Sequence, residues 1–257
     1  MTQQRFLNRV ALVTGGASGM GRQIALSFAA EGAKVVVGDI QDEMGAETVA
    51  IITAAGGQAV FQKTDVSQTA DVDALVALAV SHFGGLNHAV NAAAIEGEAP
   101  ELALLEEDVF DRIIAVNLRS VFLSMRAEVR AFVTAKTGGT IVNIASTNSY
   151  RPQPGQSAYT SSKFAVAGIT KAAAIEYAGR GIRINAVAPG SIDTPMLRNA
   201  MARRKRGSEE DTIARLSLIG RFGTVEEIAH ATLWLSSDEA TYTMGHVMAV
   251  DGGYLSR

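Results

Sequence analysis

The chain of 257 residues contains no cysteine, so disulfide bonds and thiol catalysis are excluded. It also lacks an apolar run of the roughly 18 residues that a membrane-spanning helix needs, and its polar residues 1–10 lack the apolar segment of a signal peptide. The net charge of −3 gives no general attraction to nucleic acid or anionic lipid. The four histidines show no metal-ligand spacing. We therefore expect a cytoplasmic protein that binds no nucleic acid, membrane or metal ion.

Apolar runs of strand length alternate with helical patterns, which predicts a parallel sheet covered by helices on both faces. The predicted strands are 9–14, 34–38, 58–63, 87–91, 140–145, 182–188 and 246–250. The predicted helices are 20–31, 42–55, 69–83, 106–134, 157–179 and 224–236. No linker, repeat or low-complexity segment divides the chain, so we expect one domain over 1–257. The alternation breaks at about 190–222, where short amphipathic helices could form a lid over a substrate.

A glycine-rich loop lies between the first predicted strand and the first predicted helix. Glycines let the backbone approach a pyrophosphate, and the following helix offers free N–H groups and the positive end of its dipole. This order of strand, loop and helix is the one that a dinucleotide site requires. It predicts an α/β protein with a Rossmann-type, doubly wound parallel sheet of about seven strands. The loop residues expected to bind the cofactor are Gly15, Ser18, Gly19, Met20 and Gly21.

An acidic residue, Asp39, ends the second predicted strand, about 20 residues past the glycines. A carboxylate at this place can accept hydrogen bonds from an adenosine ribose and would repel a 2′-phosphate. No Arg or Lys occurs between Gly15 and Gly21, and Arg22 is the nearest base. We therefore predict NAD as the cofactor, with NADP less favoured. The alternative is that Asp39 only caps a turn.

Tyr159 and Lys163 are four residues apart on a predicted helix, so they lie on one face of it. A lysine ammonium beside a phenol favours the phenolate and lowers its pKa from about 10. A nearby serine hydroxyl, such as that of Ser146, can hold a carbonyl or alkoxide oxygen. The three groups would form a proton-transfer device for alcohol–carbonyl interconversion. Taken singly, they would be a packing tyrosine, a solvated lysine and a turn serine.

At this point the chain resembles the short-chain dehydrogenase/reductase family, and the likeness runs from end to end. It is carried by Thr14-Gly15-x-x-x-Gly19-x-Gly21, Asp65-Val66, Asn117, the Ser146/Tyr159/Lys163 set, Pro189-Gly190, Thr194-Pro195-Met196 and Asp251-Gly252-Gly253. The resemblance implies that Asn117, Ser146, Tyr159 and Lys163 are catalytic. It also implies further cofactor contacts from Asp65, Val66, Asn91, Ala92, Ala93, Tyr159, Lys163, Pro189, Gly190, Ile192 and Thr194.

The resemblance assigns Asn117 a place in a proton relay, with a helix that opens there and a water that joins it to Lys163. A surface asparagine is the alternative. Thr194 would contact the cofactor or, almost equally, cap the lid helix. The chain departs from the family at Asn91-Ala92-Ala93-Ala94, where Asn-Asn-Ala-Gly is usual. Ala94 would be strained if it needed a positive φ; a narrower pocket beside the nicotinamide is the other expectation.

The loop between Ser146 and Tyr159 is polar and should overhang the pocket, because both of its ends are catalytic. Asn148, Gln153 and Gln156 could bind a diol or sugar-like substrate, or could face solvent. Met196, with Leu197 and Met201, would form an apolar wall. The substrate-contacting residues predicted in this way are Ser146, Asn148, Gln153, Gln156, Tyr159 and Met196. The basic run 203–206 could meet an acidic substrate, but a solvated helix face is the commoner meaning of such a run.

These patterns predict an NAD(H)-dependent oxidoreductase that interconverts a secondary alcohol, such as a cyclic alcohol or diol, and its ketone. A 3-oxoacyl-type ketoreductase is a second possibility, although the absence of a basic residue in the glycine loop argues against the NADP that it would use. A non-catalytic nucleotide-sensing protein could have the same fold. The resemblance implies a homotetramer, in which the alanine-rich faces of 106–134 and 157–179 would pack between subunits or, alternatively, on the parent sheet.

Overall fold

Seven parallel strands form one sheet in a computed structural model that describes residues 4–96, 100–204 and 208–256. The strands are Val10–Thr14 (β1), Lys34–Asp39 (β2), Gln58–Lys63 (β3), His88–Asn91 (β4), Gly139–Ile144 (β5), Ile182–Pro189 (β6) and Val247–Val250 (β7). Their spatial order is β3-β2-β1-β4-β5-β6-β7, and each of these pairings is parallel. The predicted doubly wound parallel sheet is confirmed.

Helices cover both faces of the sheet, because successive side chains of a strand point to opposite sides. The helices are Gly19–Ala30 (α1), Asp42–Ala54 (α2), Thr69–Phe83 (α3), Glu107–Ile114 (α4), Ser120–Ala135 (α5), Ser157–Tyr177 (α6), Pro195–Arg204 (α7), Glu209–Leu216 (α8) and Val225–Ser236 (α9). On one face Leu12 of β1 joins a buried cluster with residues of α3, α5 and α6. On the other, Val13 joins a cluster with residues of α1 and α9.

The long helix predicted over 106–134 is divided into α4 and α5 by a π-helical turn at Ala115–Arg119, which contains Asn117. Segment 190–222 contains α7 and α8. Ser208 is the N-cap of α8 and forms a capping box with Asp211, in which each side chain accepts a hydrogen bond from the backbone N–H of the other residue. Residues 205 and 206 of the predicted basic run lie outside the described residues. Within the described ranges, no helix is long and apolar enough to cross a membrane.

The switch point of the sheet lies between β1 and β4. From β1 the chain proceeds outward to β2 and β3, whereas β4 is followed outward by β5, β6 and β7. Ligands of open parallel sheets bind in the crevice outside the carboxyl ends of the strands at such a point. The glycine loop follows β1, and residues 92–96 follow β4, so both border this crevice.

Candidate active site

The glycine loop has the close backbone contacts that a pyrophosphate cradle needs. Gly15 has a φ of +70°, and a Cβ added there would lie 2.7 Å from the backbone nitrogen of Ala93. A Cβ on Gly21 would lie 2.1 Å from the carbonyl oxygen of Gly15. Ser18 precedes α1 but its side chain does not cap that helix. The first-turn N–H groups of α1 therefore lack a serine cap at the place where the predicted phosphate would bind.

Asp39 lies at the end of β2 with 8% of its surface exposed. Its Oδ2 accepts a hydrogen bond from the N–H of Ala17 at 3.0 Å, and its Oδ1 accepts one from the N–H of Gln41 at 3.0 Å. Asp39 therefore braces the glycine loop from the end of β2. Its role in bracing this turn is compatible with the predicted hydrogen bond to an adenosine ribose, which stays a prediction.

Arg22, the nearest base to the glycine loop, is held away from a cofactor role by three acceptors. Its Nε donates to the carbonyl of Ala17 at 2.8 Å, while its Nη2 donates to the carbonyl of Met44 at 3.1 Å and to Glu47 Oε2 at 2.7 Å. A 2′-phosphate at Asp39 would meet a carboxylate, and the positive charge of Arg22 is already matched by Glu47.

The segment after β4 packs directly against the glycine loop. Thr14 Oγ1 accepts hydrogen bonds from the N–H groups of Ala92 at 3.2 Å and Ala93 at 3.5 Å. Among the described residues other than glycine, only Asn8 and Lys136 have a positive φ, so Ala94 is not strained. The departure from the family's usual glycine at 94 is therefore compatible with the backbone.

Asp65, beside the buried Val66, accepts hydrogen bonds from Ser67 through its Oδ1.

Ser146, Tyr159 and Lys163 come together at the carboxyl end of β5. The Ser146 side chain acts on Tyr159 and lowers the pKa of its phenol. The Lys163 Nζ donates to the carbonyl of Ile144 at 2.8 Å and lies 5.7 Å from the centre of the Tyr159 ring. Lys163 is 2% exposed. Ser146 also accepts from the N–H of Asn148 at 3.1 Å, which fixes the direction of its side chain.

Burial, rather than mutual attraction, dominates the pKa values of the tyrosine and the lysine. Burial lowers the pKa of Lys163 to about 8. Burial also raises the pKa of Tyr159 to about 12; the Ser146 hydrogen bond opposes this rise, and the negative charge of Glu96 adds to it. The lowered pKa expected for Tyr159 from the charge of Lys163 is therefore wrong, because burial raises the pKa instead. A bound oxidised nicotinamide would add a positive charge that favours the phenolate.

Asn117 is fully buried, and its side chain contacts the loop after β4 rather than Lys163. Its Oδ1 accepts from the N–H of Ile95 at 2.8 Å, and its Nδ2 donates to the carbonyl of Ile95 at 2.9 Å and to Ser162 Oγ at 3.4 Å. The alternative of a surface asparagine is wrong. The relay to Lys163 stays a prediction, and it would have to use the Asn117 backbone carbonyl, since the side chain is engaged.

The amides of the loop between Ser146 and Tyr159 are largely used on one another. Asn148, which is 2% exposed, donates through its Nδ2 to Gln156 Oε1 at 2.6 Å and to Thr160 Oγ1 at 3.2 Å. Gln153 donates to Asn148 Oδ1 at 3.5 Å. Asn148 and Gln156 thus stiffen the loop, and their predicted contacts with the substrate stay a prediction. Gln153 and Met196 keep partly exposed surfaces.

Glu96 is the functional candidate that sequence analysis missed. Its Oε1 accepts from Gln156 Nε2 at 3.3 Å, and its Oε2 lies 3.7 Å from Arg203 Nη2 on α7. Its charge acts on Tyr159. The sequence feature that could have identified Glu96 is its position five residues beyond Asn91, at the carboxyl end of β4. Arg203 is 55% exposed, as a solvated helix face predicts, yet it also pairs with this carboxylate.

The segment after β6 brings Thr194 to the glycine loop. A Cβ on Gly19 would lie 3.6 Å from Thr194 Cγ2. Thr194 Oγ1 also accepts from the N–H of Leu197 at 3.3 Å, as a cap of α7 does. Gly190, just beyond Pro189, has no room for a side chain, because a Cβ would lie 2.7 Å from Asp251 Cα. Ile192 is 5% exposed.

The sheet, the glycine cradle and the Ser146/Tyr159/Lys163 cluster define a dinucleotide-dependent oxidoreductase. A family model described as enoyl-(acyl carrier protein) reductase matches residues 15–255. A cyclohexanol dehydrogenase of Acinetobacter sp. (strain SE19) is 42% identical over 253 residues, covering 98% of this chain and 97% of that protein. A 2,5-dichloro-2,5-cyclohexadiene-1,4-diol dehydrogenase of Sphingobium indicum (strain DSM 16412 / CCM 7286 / MTCC 6364 / B90A) is 39% identical over 246 residues, with 96% of each chain covered.

Among solved structures, a levodione reductase superposes with a TM-score of 0.93 at 36% identity, covering 98% of this chain and 99% of that one. The chain belongs to the short-chain dehydrogenase/reductase family. It is an oxidoreductase that acts on CH–OH groups and uses a nicotinamide cofactor.

Proposed function

We propose that this protein is an NAD(H)-dependent dehydrogenase that interconverts a cyclic secondary alcohol or diol and its ketone. The observation that carries the proposal is the meeting of Ser146, Tyr159 and Lys163 at the sheet edge that also holds the glycine cradle. Oxidation removes a hydride from the carbinol carbon and a proton from its oxygen. NAD supplies the hydride acceptor when it is bound.

The side chains of the cluster divide the remaining work. Tyr159 takes the hydroxyl proton during oxidation and returns it during reduction. Ser146 donates a hydrogen bond to the substrate oxygen. Lys163 binds the nicotinamide ribose and passes the proton outward, since its lowered pKa of about 8 lets it exchange protons near neutral pH. Asn117 holds the π-helical turn that extends this path.

The choice of NAD rests on the charges near the ribose site. Asp39 is buried at the end of β2, and Arg22 is paired with Glu47. A 2′-phosphate would meet the Asp39 carboxylate with no unmatched cation from Arg22, and like charges in contact are costly. Because NAD is proposed, we further propose alcohol oxidation as the working direction.

The choice of a cyclic substrate is supported by the relatives, which are named for cyclohexanol, a chlorinated cyclohexadiene diol and levodione. Within this chain, the Glu96 carboxylate close to Tyr159 favours a neutral or hydroxylated ring over an anionic substrate. A hydroxyl can donate a hydrogen bond to a carboxylate, whereas a second carboxylate would be repelled.

A 3-oxoacyl-type ketoreductase is the second candidate; the matching family model is described as an enoyl-(acyl carrier protein) reductase, which also acts on acyl thioesters but reduces a C=C bond instead of a carbonyl. It differs from the main proposal in needing a long acyl carrier in the cleft. Turnover of thioester substrates with NADPH in place of ring alcohols with NAD would select it.

We also propose that the protein is a cytoplasmic homotetramer. Large apolar side chains are exposed on α5 and α6, where Phe122 is 45%, Phe164 44% and Ile175 82% exposed. Gly168 on α6 has no atom within 4 Å of an added Cβ, which leaves room for a helix of another subunit. Ala173 and Ala174 instead belong to the buried cluster that packs on the parent sheet. Sedimentation velocity tests the assembly, and cell fractionation tests the location.

The first experiment mixes the purified protein with NAD or NADP and a panel of cyclic and aryl secondary alcohols, diols and sugar alcohols, and follows the absorbance of the reduced cofactor. Turnover with NAD on ring alcohols or diols is the expected result. A preference for NADP would remove the Asp39 argument. Measurable NAD binding without turnover on any alcohol or thioester would overturn the proposed chemistry.

A further inference from the structure

A closed polar network lies inside the protein, below the carboxyl end of β4. Asn91, Asn143, Thr170 and Glu128 are each 3% exposed or less. The Asn91 Nδ2 donates to Glu128 Oε2 at 3.2 Å and to Asn143 Oδ1 at 3.0 Å. Asn143 Nδ2 in turn donates to Thr170 Oγ1 at 2.9 Å. Glu128, on α5, is the one ionisable group of the four, and the chemistry proposed above does not use it.

Among the described side chains, the donors and acceptors of this network balance when Glu128 carries a proton. Both hydrogens of the Asn91 amide nitrogen are used, whereas Asn91 Oδ1 and Glu128 Oε1 have no hydrogen-bond partner within the described part of the chain. Both atoms are acceptors when Glu128 is ionised, so neither can satisfy the other. One proton on Glu128 Oε1 turns that atom into a donor beside the amide that already contacts its carboxyl group.

The surroundings of Glu128 also favour the neutral acid. Burial raises its pKa to about 8, and the Asn91 hydrogen bond opposes the rise. The titratable groups on the neighbouring elements are Asp71, Asp73 and His82 on α3, His88 on β4, Tyr159, Lys163, Lys171, Glu176 and Tyr177 on α6, and Arg126 and Arg130 on α5 itself, whereas β5 carries none. None of them is among the causes of this shift. An isolated carboxylate without a cation is costly in such a place.

Asn91 connects this network to the cofactor cradle. It is the last residue of β4 and pairs in register with Thr14, the last residue of β1. The two residues that follow it, Ala92 and Ala93, donate their N–H groups to Thr14 Oγ1. The backbone of Ala93 also limits the space at Gly15. A shift of Asn91 would therefore move the backbone that closes the glycine loop.

We propose that Glu128 is a positioning residue, held as a neutral carboxylic acid that donates its proton to Asn91 Oδ1 and thereby fixes the end of β4 against the glycine loop. When Glu128 loses this proton, the network gains a buried charge and loses a donor, and the cradle loosens. The part of the inference that concerns NAD rests on the proposed function. The protonation and its effect on unfolding do not.

The test compares wild type with Glu128→Gln, in which an amide donor replaces the proton and cannot ionise. Glu176→Gln, an exposed change on α6, is the matched control. NAD affinity is measured by calorimetry across a range that spans pH 8. Wild type and the control should lose roughly 5- to 30-fold in affinity on the alkaline side, the factor carried by one or two buried hydrogen bonds. The Glu128→Gln profile should fall less steeply than the other two, because only the deprotonation of Lys163, whose pKa is also about 8, then weakens NAD binding. Equal alkaline losses in all three proteins would overturn the proposal.

Infrared spectroscopy of the wild type in heavy water gives a readout that needs neither NAD nor a folded variant. A protonated carboxyl band should be present near neutral pH, far above the range in which exposed carboxyl groups titrate, and should disappear as the pH rises through about 8. Absence of that band at neutral pH would overturn the proposal, even if the protein proved to be an NAD-dependent dehydrogenase. If the band is present but the protein shows no turnover with NAD, the proposed function is wrong, whereas the proposal that Glu128 is a neutral acid stands.

Discussion

The carboxylate of Glu96 and the guanidinium of Arg203 face each other across 3.7 Å, joining the segment after β4 to helix α7. The same carboxylate accepts a hydrogen bond from Gln156 and raises the pKa of Tyr159. Helix α7 and the proposed general base Tyr159 are thus linked through the side chain of Glu96. A change at Glu96 should therefore be visible in both the acid–base chemistry and the substrate preference.

Replacing Tyr159 with phenylalanine should lower turnover by roughly 10²–10⁴-fold, the usual contribution of a general acid or base. The ring remains, so NAD affinity measured by calorimetry should stay near the wild-type value. Tyr242→Phe is the control, since Tyr242 is fully exposed, and it should keep wild-type turnover. Substantial turnover in Tyr159→Phe would remove the tyrosine from its assigned role.

Glu96→Gln should shift the pH dependence of alcohol oxidation toward lower pH. The negative charge of Glu96 raises the pKa of Tyr159, and the oxidation needs the tyrosine as a base, so removing the charge makes the base available at lower pH. The measurement is kcat/KM against pH for the best alcohol of the panel. Glu107→Gln, exposed on α4, should leave the profile in place. A shift toward higher pH in Glu96→Gln would contradict the electrostatic assignment.

Asp39→Asn should change cofactor preference. It removes the charge that opposes a 2′-phosphate and keeps the size of the side chain, so the NADP/NAD ratio of kcat/KM should rise roughly tenfold or more. Adding Glu47→Gln releases the partner of Arg22 and should raise the ratio further. An unchanged ratio in the double variant would show that these charges do not select the cofactor.

His88 should make the protein less stable in acid. It packs against the rings of Phe6 and Phe28. Burial, together with the charges of Arg9 and Arg183, lowers its pKa from 6.5 to about 3. The unfolded chain takes up a proton below pH 6.5, whereas the folded protein does so only near pH 3. The contribution is therefore complete above 6.5 and is lost at about 1.4 kcal/mol per pH unit as the pH falls through this window.

Urea unfolding at several pH values tests this slope. His88→Phe keeps the aromatic contacts and removes the titration, and Thr140→Val in the same protein removes the hydroxyl that contacts His88 Nδ1 at 2.8 Å. The double variant should lose the His88 share of the acid slope, whatever its absolute stability. A slope equal to that of the wild type would assign the acid sensitivity to other groups.

The sheet could be predicted from sequence because each strand is a short apolar run between turn residues. β1 and β3 differ from the predicted strands by a residue or less at each end. The doubly wound order followed from general handedness and crossover rules. Tyr159 and Lys163 could be placed on one helix face because helical spacing is fixed by backbone geometry alone.

The rest of the site depends on contacts between segments that are far apart in the sequence. Asn148 and Gln156 were predicted to meet a substrate, but nothing in their spacing indicates that they bind each other. Glu96 affects Tyr159 only because β4 and α6 end at the same crevice. The pKa of Tyr159 was predicted in the wrong direction because local spacing reveals the lysine charge and hides the burial that opposes it.

The order of strands also constrains how the chain is made. β1 pairs with β2, only 24 residues further on, but its other edge is completed by β4, where Ala11 pairs with His88. During synthesis from the N-terminus, β1, β2 and β3 can associate early, while one side of β1 remains open until residues 88–91 have emerged. An exposed apolar strand edge is a site for aggregation. The central position of β1 therefore leaves one apolar strand edge of the nascent chain unpaired until β4 has been made.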